Sequence, residues 1–121
     1  MIKQFHGVEK VNLKTISLKQ EIIKIFKKFG LSNNHALISA NAIINAELVG
    51  APGHGLSRLK MYCKRISKKV INSKPKIRIK KITQSISLVD ADNCIGFVAA
   101  DIAIKKAIKN AKKTGIGMVA V

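Results

Sequence analysis

The chain has 121 residues, enough for one domain that buries a core but small for an enzyme with its own cofactor site. Its 47% hydrophobic content excludes a disordered chain, and no apolar run nears the roughly 20 residues of a bilayer span. A net charge of +17 invites a nucleic-acid partner, but only Arg58, Arg65 and Arg78 accompany the lysines and aromatics are 4%, so base readout and stacking are poorly served and a solvated lysine surface is the plainer reading.

Lys3, Gln4 and His6 stand where a signal peptide would carry its apolar core, which points to a cytoplasmic location. Ser17 with Gln20 has the form of a capping box, and Leu18, Ile22, Ile25, Phe26 and Phe29 then recur at helical spacing up to Gly30. Ser32 is placed to cap a second helix whose stripe is Leu37, Ala40, Ile44 and Leu48, ended by Gly50. So short a connection predicts an antiparallel pair.

A third helix is predicted from near His54 to about Lys69. At about 100° per residue, Leu56, Leu59, Cys63, Ile66 and Val70 form its apolar stripe. His54, Arg58 and Tyr62 fall on a different face, joined by Arg65 and Lys69. Asn72, Ser73 and Pro75 break the pattern, and KIRIKKI alternates as a strand with Ile77 and Ile79 on one side. SISLV reads as a second strand ending in the turn-rich DADNCIG. From about Phe97 to Lys113, Ile104, Ala107, Ile108 and Ala111 mark a helix closed by Gly115, and IGMVAV follows as an apolar strand.

Strand, helix and apolar strand make a βαβ unit, in which the last strand is normally buried on both faces of a larger sheet. The fold class is therefore α/β (α+β), with a helical subdomain over residues 1–73 and the start of an α/β domain over 74–121. A chain stopping on such a strand reads as the front part of a longer protein.

His54, Arg58 and Tyr62 follow a Gly-Ala-Pro-Gly break that lets backbone approach a ligand closely. A guanidinium presents a planar fork to a carboxylate, and a histidine beside it can donate to, or exchange a proton with, an oxygen on the adjacent carbon. The trio suits a small acid bearing such an oxygen. A solvated helix face with a histidine near its cap accounts for the same spacing.

Cys63 and Cys94 lack neighbours at ligand spacing and read as two free buried thiols, leaving no metal site. His6 and His35 read as surface or capping residues, and Asp90 and Asp92 as turn residues. Gly115 and Gly117 lie between helix and strand, the reverse of the dinucleotide fingerprint, so no Rossmann motif is present.

Taken together, GHGLSRLKMY, VINSKPKIRI, SLVDADNCIG and AIKKAIKNAKKTGIGMVAV resemble, in order and spacing, the N-terminal part of the type-2 malate/L-lactate dehydrogenase family. That family includes ureidoglycolate and sulfolactate dehydrogenases and ketimine reductases. The resemblance implies a non-Rossmann fold using NAD or NADP, interconversion of 2-hydroxy and 2-oxo acids, and a homodimer when complete. It implies that residues 1–73 are the substrate side and 74–121 the beginning of the cofactor-binding domain. His54 would be catalytic and Arg58 would hold the substrate carboxylate, with Tyr62 nearby.

Gly53 stands where members commonly carry serine, removing one hydroxyl, and the family's further histidine, usually taken as the acid/base, follows the strand matching GMVAV. The fragment alone is therefore expected to be inactive. Two other readings are a non-catalytic basic binding or dimerising protein and a lysine-rich nucleic-acid binder.

Overall fold

The computed structural model describes residues 12–121, so His6 lies outside the described residues. Helix α1 (Thr15–Lys28) turns Ile22 and Phe26 inward and ends at Gly30, whose φ of 98° suits a residue without a side chain. It starts before Ser17, and Lys14 at its N-cap makes no side-chain hydrogen bond, so the expected capping box does not form. Helix α2 (Asn33–Leu48) is capped as predicted, Ser32 Oγ accepting from the His35 amide at 3.2 Å.

The face of α2 differs from the expected stripe. Ala36, Ser39, Ala40, Ile43 and Ile44 are buried, whereas Leu37 and Leu48 are exposed. Apolar residues occur on nearly every side of this helix, so periodicity alone does not select the inner face. Small side chains do, because they let α1 approach closely, and Ser39 satisfies its buried hydroxyl by donating to the His35 carbonyl at 2.8 Å.

The predicted third helix is broken. Two single 3-10 turns, Pro52–His54 and Leu56–Arg58, precede α3 (Leu59–Ser67), and Gly55 between them is non-helical, with φ −94° and ψ −131°. Cys63 and Ile66 are buried as expected, but Val70 is exposed because the chain leaves the helix through Lys69 at a φ of 58°.

Strands β1 (Arg78–Lys81) and β2 (Ile86–Asp90) pair antiparallel, with Arg78 opposite Asp90 and Lys81 opposite Ser87. Helix α4 (Gly96–Thr114) then crosses to β3 (Met118–Ala120), which lies parallel to β2 with Met118 opposite Ile86. The order β1-β2-β3 thus contains the predicted βαβ unit. Gly115 closes α4 in the left-handed region, as expected.

On α4, Ile104 and Ile108 are exposed, contrary to the expected stripe, while Ala107 and Ala111 are partly buried. The reason lies in Gly117, where a Cβ would overlap the Ala107 carbonyl and the Ala111 amide. The strand's approach comes so close to the helix that only small residues fit between them. Ile79 is exposed, and β3 is not buried on both faces: Val119 is half-buried, and Met118 and Ala120 are exposed.

One apolar cluster joins Ile22 and Phe26 of α1, Ile43 of α2, Ile66 of α3 and Val98 of α4. Between α4 and β2, buried Asn110 donates through Nδ2 to Ser87 Oγ at 3.1 Å and to the Ser85 carbonyl at 3.2 Å. Cys63 is buried but Cys94 only half-buried, so the expectation of two buried thiols holds for the first alone.

Candidate active site

The segment after α2 is assembled on a carboxylate. Glu47, in the last turn of that helix, accepts the Leu56 amide hydrogen bond on Oε1 at 2.6 Å. It reaches that amide because Gly55 has no side chain, for a Cβ there would overlap the Glu47 carboxylate. Around this anchor Ser57 Oγ donates to the Pro52 carbonyl at 2.7 Å, and the Arg58 amide donates to the Gly55 carbonyl at 3.0 Å. The His54 amide donates to the Ala51 carbonyl at 2.9 Å.

His54 and Arg58 are therefore carried on successive turns, and both are exposed. Arg58 is turned back on its own loop, its Nε donating to the Gly53 carbonyl at 2.7 Å. That is its one side-chain hydrogen bond among the described residues, which leaves both terminal nitrogens for an incoming anion.

Tyr62 sits apart. The helix expected to line it up with His54 is interrupted at Gly55. Its half-buried ring meets Phe97 edge-on, with centroids 5.2 Å apart and planes at 62°. With Arg65, Cys94 and Phe97 it lines a recess at the start of α4, and neither His54 nor Arg58 lines that recess.

The remaining candidates have local roles. Asp92 Oδ2 accepts from Asn72 Nδ2 at 2.9 Å and from the Lys76 amide at 2.8 Å, and Asp90 Oδ1 accepts from the Asp92 amide at 3.1 Å. These bonds hold a turn in which Asp92 and Asn93 have positive φ. Among the described residues no group of three potential metal ligands is gathered. Burial pushes the Cys63 thiol up, and burial with the neighbouring Asp92 charge pushes Cys94 up, partly opposed by a backbone hydrogen bond in each case.

Glu47 and Gly55 were missed in reading the sequence. A signal existed: an acid in the last turn of a helix faces the negative end of its dipole and needs another partner.

Helices packed together ahead of a βαβ crossover, with an arginine and a histidine exposed on a tight loop, define a mixed α/β protein. The chain belongs to the malate/L-lactate dehydrogenase family, whose sequence profile matches residues 13–121. It is 38% identical over 100 residues to the malate/(S)-sulfolactate dehydrogenase of Methanothermus fervidus, a match covering 83% of this chain and 30% of that protein.

The solved malate dehydrogenase of Pyrococcus horikoshii superposes with a TM-score of 0.87 at 36% identity, over 90% of this chain and 31% of that one. The chain thus spans about 30% of the length of the relatives it matches. Other relatives carry NAD(+) or NADP(+) in their names.

Proposed function

We propose that this chain is the substrate-gripping part of a dehydrogenase that interconverts 2-hydroxy and 2-oxo acids. Arg58 carries the proposal. With Nε tied to Gly53, its terminal nitrogens form a pre-oriented fork for the substrate carboxylate. His54, on the preceding turn and exposed, donates a hydrogen bond to the oxygen on C2 or exchanges its proton. Tyr62, which the family resemblance puts nearby, packs on Phe97 in a separate recess, and no substrate contact is assigned to it. The same reading makes residues 1–73 the substrate side and 74–121 the opening of the cofactor domain, in a cytoplasmic homodimer.

The complete enzyme uses NAD or NADP, as its relatives' names suggest. Strand β2 ends on Asp90 and the turn to α4 carries Asp92, with no glycine-rich phosphate-binding loop between them. No described residue is therefore assigned to the cofactor, and the 121-residue chain alone is expected to turn over no substrate. A basic binding protein or a nucleic-acid binder is the weaker reading, because the family match runs through nearly the whole chain.

L-malate binding by the chain, followed by NMR, tests the grip. Arg58→Ala is expected to weaken it at least about tenfold, and Arg58→Lys to restore only part, since an ammonium keeps the charge without the fork. Unchanged affinity in Arg58→Ala overturns the assignment.

A further inference from the structure

The acids of this basic chain are used in different ways. Glu21 pairs with Lys24 and Asp101 with Lys105, each at 2.7 Å on the surface, and Asp90 and Asp92 hold their turn. Glu47 is different. It is half-buried, makes no salt bridge among the described residues, and spends its carboxylate on a single backbone amide although 23 basic residues surround it in the sequence.

Its location at the end of α2 sets the charge against the helix dipole, so the position is unfavourable without that amide. The segment it reaches also needs an anchor. Gly50, Gly53 and Gly55 punctuate the connection, and glycine widens the range of conformations open to it.

We propose that Glu47 is the positioning residue of the loop that carries His54 and Arg58: its carboxylate, passing over the bare Cα of Gly55 to the Leu56 amide, fixes the backbone between them. Gly55 directly follows His54, and its carbonyl receives the Arg58 amide, so one charge-assisted hydrogen bond orients both side chains. Glu47 itself touches no substrate. Its consequence for substrate binding rests on the function proposed for Arg58.

Amide hydrogen exchange in the 121-residue chain tests the proposal. In Glu47→Ala, exchange at Leu56 and Arg58 is expected to accelerate about tenfold or more, with Ile43 in the core of α2 unchanged. Glu47→Gln, which keeps a carbonyl oxygen as acceptor, recovers most of the protection. Gly55→Ala, whose Cβ displaces the carboxylate, reproduces the acceleration at Leu56.

No acceleration in Glu47→Ala, an equal acceleration at Ile43, or a failure of Glu47→Gln to recover protection overturns the proposal. The two ideas separate in the wild-type chain. If L-malate leaves Arg58 unperturbed while the exchange pattern appears, the substrate reading fails and the positioning role stands.

Discussion

Cys63 and Cys94 give a residue-level consequence of packing. Burial disfavours both thiolates, so both thiols titrate above their ordinary range in the folded chain. The neutral thiols thus contribute stability that is fully present below about pH 8.5 and is lost as pH rises through the folded values. Thiolate is also the reactive form, so at pH 8 both cysteines are expected to react with a disulfide reagent more slowly in the folded chain than in urea. Equal rates in the two states would contradict the burial account.

The residue scale is also where the sequence was most informative about chemistry and least about geometry. His54 and Arg58 stood out by type and by the glycines around them, whereas their arrangement depends on a contact between Glu47 and Leu56 nine positions apart. Helical periodicity, the signal used to align them, is blind to such a contact. It carried a helix through Gly55, where the Glu47 carboxylate sits against a non-helical glycine instead.

Among elements, α4 and β2 are tied by polar as well as apolar contacts. Asn110, buried on α4, satisfies the Ser87 hydroxyl and the Ser85 carbonyl together. Asn110→Ala would leave the buried Ser87 hydroxyl oxygen without its donor, while the Ser85 carbonyl keeps the Met118 amide, and is expected to cost about 1–3 kcal/mol in a urea-unfolding measurement. A loss below about 0.5 kcal/mol would mean that water or a shifted side chain replaces the amide.

Element existence was legible because caps, glycine stops and strand alternation are local. Ser32 and Gly115 act as read. Which face turns inward was not legible for α2 or α4, because it is decided by small residues. Ala36 and Ala40 line the packed side of α2, while Ala107 and Ala111 face the close approach of Gly117. Larger apolar residues at 37, 104 and 108 are left outside, where hydropathy alone had placed them within.

For the molecule as a whole, the helices and the three-stranded sheet match about the first third of known dehydrogenases, and no described helix is long and apolar enough to cross a membrane. The βαβ order was foreseeable from the turn glycines, and the exposed Leu88 and Met118 were not, since strand burial depends on what packs against the sheet.

In the proposed function, one loop grips a carboxylate and addresses the oxygen beside it. The most direct test compares L-malate with succinate, which lacks the 2-hydroxyl, by following the side-chain resonances of Arg58 and His54 in the isotope-labelled chain. Saturable shifts are expected at Arg58 with both acids and at His54 with L-malate alone. Absence of any shift at Arg58, or shifts at His54 that do not distinguish the two acids, would contradict it.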